Sequence, residues 1–513
     1  MKPLNSFSLV LIAIAASGFG SMRVRAQAPV LSDRPDPREI PVPEIKTSLG
    51  RLAGVNELPV RKEMPDALTM NDGTKVTTVE QFKQRQQEIR TILEYYHVGR
   101  MPPPPGNVKG TVTKSEDVTV DGKVKYKYRL VHLTFGPEEK LSLDVGIIAP
   151  AEGGPFPAVI QFGGPPPGAA RLPALAKGPM EGRGMDILLP PEVALASGVA
   201  QTAITPDGAT PDAARSGGPQ GGAPTGGAAG GPPAGRRGGF GGGGTAESLA
   251  GSAAQVLNHG FAFVTFATND CAEDTTLRMP DGSFAFRTTR FFPAYPGYDW
   301  GIIGGWAWGA MRVVDYLQND PVVDKTKLII TGVSRNGKAA MIAGAFDDRI
   351  AMVAPGASSG LGTPAYRFSG GATTTQPSRG GKEGLTLMVK KYGNQFSPHL
   401  HEFWGQADKL PYDAHWFPAL TAPRPFLMLE GTQDGNVVHN GIKQTWLAAQ
   451  SAYALFGPGA TAKLGVYWAD RPHGFGETDW DGLLAFADKH LIGKRISRAF
   501  DLFPADTEET ANK

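Results

Sequence analysis

Three residues that are far apart in the sequence have the side chains that a serine hydrolase needs. Ser334, Asp434 and His473 each occur in a loop after a predicted buried strand. A serine hydroxyl is almost unreactive at neutral pH unless a base accepts its proton during attack, and an imidazole oriented by a carboxylate is such a base. We therefore predict that these three residues form a catalytic triad with Ser334 as the nucleophile.

Ser334 occurs where an apolar run breaks and helix-forming sequence begins. Residues 328–330 are apolar, Thr331 follows them, and glycines occur at 332 and 337. A strand, a sharp turn and a helix would lift the serine above the carboxyl ends of the strands, with the next N–H directed at the same point. The spacing Gly332-x-Ser334-x-x-Gly337 differs from the common G-x-S-x-G, so an ordinary polar loop is the alternative interpretation.

The base and the acid are chosen by their position after strands. Of nine histidines, only His473 follows the last predicted strand, in a loop with Pro472 and Gly474 beside it. A histidine in a surface loop is the alternative. Asp434 is on a tight turn over 431–435, directly after a strand. Three other acids compete with it for the role: Glu430, Asp470 and Glu477.

A glycine-rich loop after another strand could bind developing negative charge. Residues 157–162 are mostly apolar, which predicts a short buried strand, and Gly163 and Gly164 follow. Paired glycines at this point let backbone N–H groups turn toward an oxyanion. Both are candidates for shaping an oxyanion hole, and a plain turn is the alternative.

The elements around these residues predict an α/β fold. Residues 108–120, 123–135 and 140–148 have the pattern of an antiparallel meander, and later apolar strands alternate with helices. The chain order serine, acid, histidine is that of α/β-hydrolases. We predict an α/β-hydrolase three-layer sandwich with a mostly parallel sheet. The later strands are expected at 157–162, 261–267, 327–331, 350–355, 425–429 and 464–468, and helices at 79–96, 246–258, 306–317 and 479–490.

Composition changes divide the 513 residues into segments. Residues 1–26 have a basic start, an apolar run and a small-x-small site ending at Ala26, as in a secretory signal peptide. We expect an extended arm over 27–74, a catalytic domain over 75–492 and a tail over 493–513. Residues 205–244 are mostly Gly, Pro and Ala, so we expect a disordered insertion there.

Charge and composition exclude several partners. Fifty-one basic residues against 49 acidic ones leave a formal charge of +2, which does not favour nucleic acid or an anionic membrane. No later apolar run reaches the length of a membrane span. Cys271 is the only cysteine, so no intrachain disulfide can form. We expect a secreted or periplasmic bacterial monomer that acts on a polysaccharide or small ester substrate without a cofactor.

A metal site is the less favoured interpretation of His399-Leu400-His401-Glu402. Alternate residues of an extended segment can bind zinc, but no third and fourth ligand is evident, which favours a polar loop. Asp413 and His415 are expected to form structural hydrogen bonds beneath the site.

Several segments together resemble the glucuronoyl esterases, carbohydrate esterase family fifteen. The resemblance covers about 75–492 outside the insertion, and the Ser-Arg-Asn-Gly-Lys motif is its most specific part. It implies an α/β-hydrolase that cleaves the ester between 4-O-methyl-glucuronic acid on xylan and lignin alcohols. Arg335 would then stabilise the oxyanion, and Lys338 would bind glucuronate hydroxyls. The segments that carry the resemblance are 332–338, 344–350, 410–424 and 472–474.

The sequence departs from this family at three places. Val333 replaces the cysteine before the nucleophile, so the disulfide that often braces the site is absent. Ala357 stands where many members have a catalytic glutamate, which moves the acid role to Asp434. Gly435 and Asn436 occupy the place of a tryptophan that contacts the sugar. The last departure bears on sugar specificity rather than on ester hydrolysis.

The sequence thus predicts a secreted serine carboxylester hydrolase, with glucuronoyl esters as the expected substrates. One alternative is an acetyl xylan esterase or another carbohydrate acyl esterase with the same mechanism. An alternative of another class is a polysaccharide-binding protein without catalysis. A peptidase of the same fold is disfavoured because no propeller-like repeat precedes the catalytic region.

Overall fold

The computed structural model of the protein describes residues 46–174, 244–277, 284–368 and 383–504. The predicted signal peptide, the first part of the predicted arm and residues 205–243 of the predicted insertion lie outside these ranges. In the part of the chain that the structure describes, no helix is both long enough and apolar enough to cross a bilayer.

Nine strands form one sheet, in the order β1-β2-β3-β5-β4-β6-β7-β8-β9. The pairs β1·β2, β2·β3 and β3·β5 are antiparallel, and all pairs from β5 to β9 are parallel. The predicted antiparallel meander and mostly parallel sheet are confirmed. The strands are β1 Lys109–Val120, β2 Lys123–Phe135, β3 Leu141–Pro150, β4 Phe156–Gly163, β5 Ala262–Ala267, β6 Val323–Val333, β7 Met352–Gly356, β8 Phe426–Gly431 and β9 Leu464–Ala469.

Ten α-helices are found in the described residues. They are α1 Val79–Leu93, α2 Ala246–Ser252, α3 Ala254–Asn258, α4 Thr268–Cys271, α5 Ile302–Leu317, α6 Arg335–Phe346, α7 Leu385–Tyr392, α8 Trp416–Thr421, α9 His439–Ala454 and α10 Glu477–Ala487. Short 3₁₀ segments join several of them, and π-helical turns follow α1 and α10.

The sheet separates two hydrophobic cores, because successive strand residues point to opposite faces. Ile330 packs with residues of α1, α5, α6, α8 and α9 on one face. Its neighbour Ile329 packs with residues of α2, α3 and α10 on the other. Helices on both faces of the sheet make the three layers that the sequence predicts.

The helix predictions differ from the structure mainly at element ends. The predicted helix 246–258 is interrupted at Ala253, whose φ of −99° and ψ of 11° are not helical. The predicted helix 306–317 begins earlier, at Ile302, directly after Gly301. Trp306 and Trp308 on this helix are buried, as expected for core residues.

Segments at both ends of the described chain pack onto this core. Residues 46–78 contain no helix and only isolated bridges, yet Leu52, Val55 and Ala67 are buried in the larger core. Near the other end, the Val466 N–H of β9 donates to the Phe500 carbonyl at 2.7 Å. The Phe500 side chain is buried in the second core.

Two leucines provide a matched test of this packing. Leu427 of β8 is fully buried, whereas Leu447 of α9 is 49% exposed. We expect Leu427→Ala to lower the free energy of unfolding by about 2–5 kcal/mol, because it removes buried methyl groups and leaves a cavity. Denaturant unfolding measures the change.

Leu447→Ala is the control, with an expected change within about 0.5 kcal/mol. Equal losses for the two variants would contradict the burial of Leu427 in the core on its face of the sheet.

Candidate active site

Ser334 forms a strained turn between β6 and α6. Its φ of 59° and ψ of −122° are rare for a residue with a side chain. The Ser334 N–H donates to the Gly356 carbonyl at the end of β7, at 2.9 Å. The predicted strand, sharp turn and helix are therefore present around Ser334.

Two glycines allow this turn, because other backbone atoms approach them closely. A Cβ at position 332 would lie 2.5 Å from the carbonyl oxygen of Asn336. A Cβ at position 337 would lie 2.6 Å from the carbonyl oxygen of Gly356. The spacing G-x-S-x-x-G thus follows from close packing of α6 against its own strand and against β7.

The predicted acid and base are hydrogen-bonded to each other. The distance between His473 Nδ1 and Asp434 Oδ2 is 2.7 Å. The other carboxylate oxygen, Oδ1, accepts from the Asn436 N–H at 3.0 Å. The Asp434 carboxylate is inaccessible to solvent, whereas the His473 side chain is 33% exposed. This arrangement fixes the imidazole at one nitrogen and leaves the other ring edge on the open side.

The three predicted residues follow β6, β8 and β9, which belong to the parallel part of the sheet. The carboxyl ends of parallel strands meet at one edge, so Ser334, Asp434 and His473 share that edge. A hydroxyl, an imidazole and a carboxylate at one edge can perform general-base-assisted nucleophilic attack.

The competing acids have other contacts. Glu430 is completely buried, and the Thr363 hydroxyl donates to its Oε1 at 2.7 Å. Burial raises the pKa of the Glu430 carboxyl to about 8. Asp470 accepts hydrogen bonds from Thr432 and Gln433. Glu477 is in the first turn of α10.

Two cations follow Ser334 in the first turn and a half of α6, and each has a carboxylate beside it. The Arg335 guanidinium forms an ion pair with Asp274 and is 42% exposed. Lys338 is 1% exposed, with its Nζ 3.9 Å from Glu383 Oε2. Burial lowers the pKa of the Lys338 ammonium to about 8.

Gly163 and Gly164 occur at and just after the end of β4, which lies beside β6 in the sheet. Both glycines therefore lie at the same sheet edge as Ser334.

Asp274 and Glu383 were not identified from the sequence. Asp274 is in a loop after α4, 61 positions before Arg335. Glu383 also accepts a hydrogen bond from Ser359 at 2.6 Å. Neither acid occurs in a motif, so only the fold relates them to the cations.

The histidines of the 399–402 segment make other contacts. The His399 ring stacks on Tyr95 with a centroid distance of 4.0 Å. His401 Nε2 donates to the Gly393 carbonyl at 2.8 Å. Among the described residues, no group of three or more His, Cys, Asp or Glu side chains is arranged to hold a metal ion.

Asp413 and His415 are buried and make structural contacts. Asp413 pairs with Arg367 at 2.8 Å and accepts from the Tyr366 N–H at 2.6 Å. His415 Nε2 donates to the Pro65 carbonyl at 2.9 Å, and burial lowers the pKa of its imidazole to about 4. Both residues hold loops together.

Sequence comparison relates the chain to carbohydrate esterases. A family model described as "Glucuronyl esterase, fungi" matches residues 247–457. A carbohydrate esterase from an unknown prokaryotic organism is 25% identical over 455 residues, covering 84% of this chain and 90% of that protein. A 4-O-methyl-glucuronoyl methylesterase from Podospora anserina is 24% identical over 403 residues, covering 78% of this chain and 59% of that protein. The chain thus spans less than two thirds of the Podospora protein.

Structural comparison gives a consistent result. A glucuronoyl esterase from Solibacter usitatus matches with a TM-score of 0.60 and 20% identity, covering 85% of this chain and 99% of that one. A carbohydrate esterase family 15 glucuronoyl esterase from Caldicellulosiruptor kristjansonii matches with a TM-score of 0.58 and 23% identity, covering 87% and 95%. At these identities the matches establish the fold, and the predicted α/β-hydrolase fold is confirmed.

Gly337→Ala tests the close packing at the turn. The added methyl group would meet the Gly356 carbonyl, which is backbone and cannot rotate away. We expect the variant to lose about 1–3 kcal/mol of unfolding free energy and most of any esterase activity. The measurements are denaturant unfolding and turnover of p-nitrophenyl acetate.

Gly251→Ala is the matched control, because a Cβ at position 251 of α2 meets nothing within 4 Å. It should keep parental activity and stability. A Gly337→Ala variant as active and stable as this control would contradict the packing described for the turn.

Glu430→Gln tests the neutral state of the buried carboxyl. In the folded protein the carboxyl keeps its proton to about pH 8, whereas an unfolded glutamate ionises near pH 4.5. Raising the pH from 5 to 8 therefore lowers the free energy of unfolding of the parent by about 1.4 kcal/mol per pH unit. Glutamine does not ionise, so the variant does not lose this stability. The variant should gain stability relative to the parent over this range, by up to about 4 kcal/mol. Denaturant unfolding at pH 5 and pH 8 gives the comparison.

Glu152→Gln, at an exposed position, is the control and should follow the parent at both pH values. The interpretation is wrong if Glu430→Gln and the parent show the same change with pH.

Proposed function

Because the chain belongs to the glucuronoyl esterase family, carbohydrate esterase family fifteen, we propose that it hydrolyses glucuronoyl esters through a Ser334–His473–Asp434 mechanism. The observation that carries this proposal is the 2.7 Å hydrogen bond between His473 and Asp434 at the sheet edge where Ser334 forms its turn. The names of the relatives support the choice of a carboxylic ester as the substrate.

In the first half of the reaction, Ser334 attacks the carbonyl carbon of the ester. His473 accepts the hydroxyl proton while Asp434 holds the imidazole by its Nδ1 and stabilises the imidazolium. The tetrahedral intermediate then collapses, and His473 gives the proton to the departing alcohol. The acyl group remains as an ester on Ser334.

In the second half, water replaces the alcohol. His473 removes a proton from the water as it attacks the acyl carbon, and returns the proton to Ser334 as the carbon–oxygen bond breaks. The products are a free uronic acid and the regenerated enzyme. The 33% exposure of His473 leaves space for the water to enter from the open side.

Arg335 and the glycine loop act on the charge that develops on the carbonyl oxygen. A fixed donor at such a site contributes about 2.7–4 kcal/mol to transition-state stabilisation. Arg335 directly follows Ser334 and can donate through its guanidinium, while Gly163 and Gly164 supply backbone N–H groups. The positive charge of Arg335 adds to these dipoles.

Lys338 acts on the sugar. It is one helical turn after Ser334, and the charge of Glu383 lies beside it. An ammonium and a carboxylate together can donate to and accept from the hydroxyls of a hexuronate. One solved relative from Sporotrichum thermophile is a glucuronoyl esterase mutant in complex with methyl 4-O-methyl-β-D-glucopyranuronate, which supports a sugar ester as the ligand class.

Export fits this substrate, since plant polysaccharide is outside the cell. The sequence over 1–26 has the three parts of a signal peptide, with cleavage expected after Ala26. We propose that the mature protein acts outside the cytoplasm as a monomer.

An acetyl xylan esterase is the second candidate. It is favoured by the burial of Lys338, whose side chain is only 1% exposed, and by Gly435 and Asn436, which stand where the resemblance implies a sugar-contacting tryptophan. An enzyme for acetyl groups needs the same nucleophile and base but no uronate contacts. Turnover of acetylated xylan without turnover of glucuronate esters would select this function.

Substitution of the three proposed residues tests the mechanism with benzyl glucuronate as substrate. Ser334→Ala should lower kcat by about 10⁴-fold or more, and Asp434→Asn should cause a loss of about the same order by leaving the imidazole in the wrong tautomer. His473→Ala should resemble Ser334→Ala. Steady-state kinetics of the purified mature chain provide the comparison.

Asp470→Asn is the matched control, because Asp470 lies in the histidine loop but bonds only to Thr432 and Gln433 in the contacts described above. Its kcat should stay within about threefold of the parent. Full activity of Asp434→Asn beside a strong loss in Asp470→Asn would move the acid to Asp470.

A further inference from the structure

The ion pair between Arg335 and Asp274 has no counterpart in the sequence prediction. Arg335 Nη1 is bonded to Asp274 Oδ2, and the two side chains are 42% and 20% exposed. A partly exposed arginine has many conformations of similar energy, so a carboxylate partner selects one of them. The position of the guanidinium beside Ser334 thus depends on where Asp274 is held.

The loop that carries Asp274 is fixed on both sides. The neighbouring Glu273 forms an ion pair with Arg290, with 4% and 10% of the two side chains exposed. The Asp274 N–H donates to Asn269 Oδ1 at 3.2 Å, and the following Thr275 carbonyl accepts from Asn394. Asp274 is therefore presented by an anchored loop and not by a free surface turn.

We propose that Asp274 is the positioning residue for Arg335, and that it also keeps Arg335 from capturing the acid product. This proposal rests on the proposed function, in which Arg335 donates to the oxyanion. Asp274 holds the guanidinium through Nη1 and leaves its other N–H groups for the carbonyl oxygen of the ester. Asp274 itself does not touch the reacting atoms.

The second part of the proposal follows from the geometry of arginine. A free carboxylate binds a guanidinium best through two parallel hydrogen bonds, and such pairs are among the strongest in proteins. The transition state has a single oxyanion and needs only one edge of donors. Asp274 accepts a hydrogen bond from Nη1 and places a negative charge beside the guanidinium. The carboxylate of the released uronate is therefore repelled by Asp274 and cannot also bind Nη1, so it binds Arg335 weakly.

Two substitutions of Asp274 distinguish its effect on the orientation of Arg335 from the effect of its negative charge. Asp274→Ala removes the partner, so kcat should fall about tenfold, equivalent to ~1.4 kcal/mol, while KM changes less than about threefold. Asp274→Asn keeps an acceptor oxygen for Nη1, so kcat should stay within about threefold of the parent. Both variants should be inhibited by free glucuronate at about fivefold to tenfold lower concentration, because the opposing charge is gone.

A double-mutant cycle with Arg335→Ala shows whether Asp274 acts through Arg335. In the Arg335→Ala background, Asp274→Ala should change kcat and product inhibition by less than about twofold, because the side chain that it positions is absent. Asp270→Asn, in the same region of the chain, is the control and should leave kcat and product inhibition at the parental values.

Additive effects of Asp274→Ala and Arg335→Ala would overturn the proposal, as would unchanged glucuronate inhibition in Asp274→Asn. If Asp274→Ala fails to fold, as judged from its thermal transition, the inhibition of Asp274→Asn by glucuronate tests the proposal alone.

The choice of substrate is tested separately. If the parent turns over p-nitrophenyl acetate but no glucuronate ester, the substrate assignment fails, and the same double-mutant cycle is carried out with p-nitrophenyl acetate as substrate and acetate as inhibitor. No turnover of either ester by the parent would contradict the proposed function itself.

Discussion

The hydrogen bond from the Ser334 N–H to the Gly356 carbonyl is the constraint on which the site depends. It joins the turn after β6 to the end of β7, at 2.9 Å, while Ser334 has a positive φ. A strained residue persists only when its surroundings fix it. Here the close approach of α6 to both strands supplies that fixation, and it requires glycine at 332 and 337. The position of the half-buried Ser334 at the sheet edge is a consequence of this packing.

The charged side chains near the Ser334 turn are either paired with an opposite charge or kept neutral. Arg335 is paired with Asp274, and the charge of Glu383 lies near Lys338. Glu430 is fully buried beside the negative charge of Asp434, and its raised pKa keeps it neutral. If Glu430 were charged, a second anion would lie close to the Asp434–His473 pair. The protonated carboxyl thus leaves Asp434 as the negative group that faces the imidazole.

The sequence is informative where chemistry and local geometry coincide. Ser334, Asp434 and His473 could be proposed from the sequence because each follows an apolar strand, and their shared sheet edge could be inferred from the parallel strands. Helix ends were less predictable, since alanine favours a helix and the side chain of Ala253 gives no sign of the interruption there. Asp274 and Glu383 could not be found, because their proximity to α6 results from loop paths of tens of residues. The burial of Lys338 could not be predicted from the sequence either, since lysine is ordinarily exposed.

The loop after β7 bears on why the proposed acid, Asp434, follows β8 in this chain. At position 357, where the resemblance places a glutamate in many members, the residue is a fully buried alanine with a φ of 42°. Its N–H donates to the Leu429 carbonyl at 2.8 Å, so the loop is tied to β8. Farther along, Ser358 bonds Thr363, which donates to Glu430. A loop that serves as a buried support for β8 has no room for a solvated carboxylate. Asp434 follows the supported strand β8 and is held against His473 by a hydrogen bond, which is consistent with its proposed role as the acid.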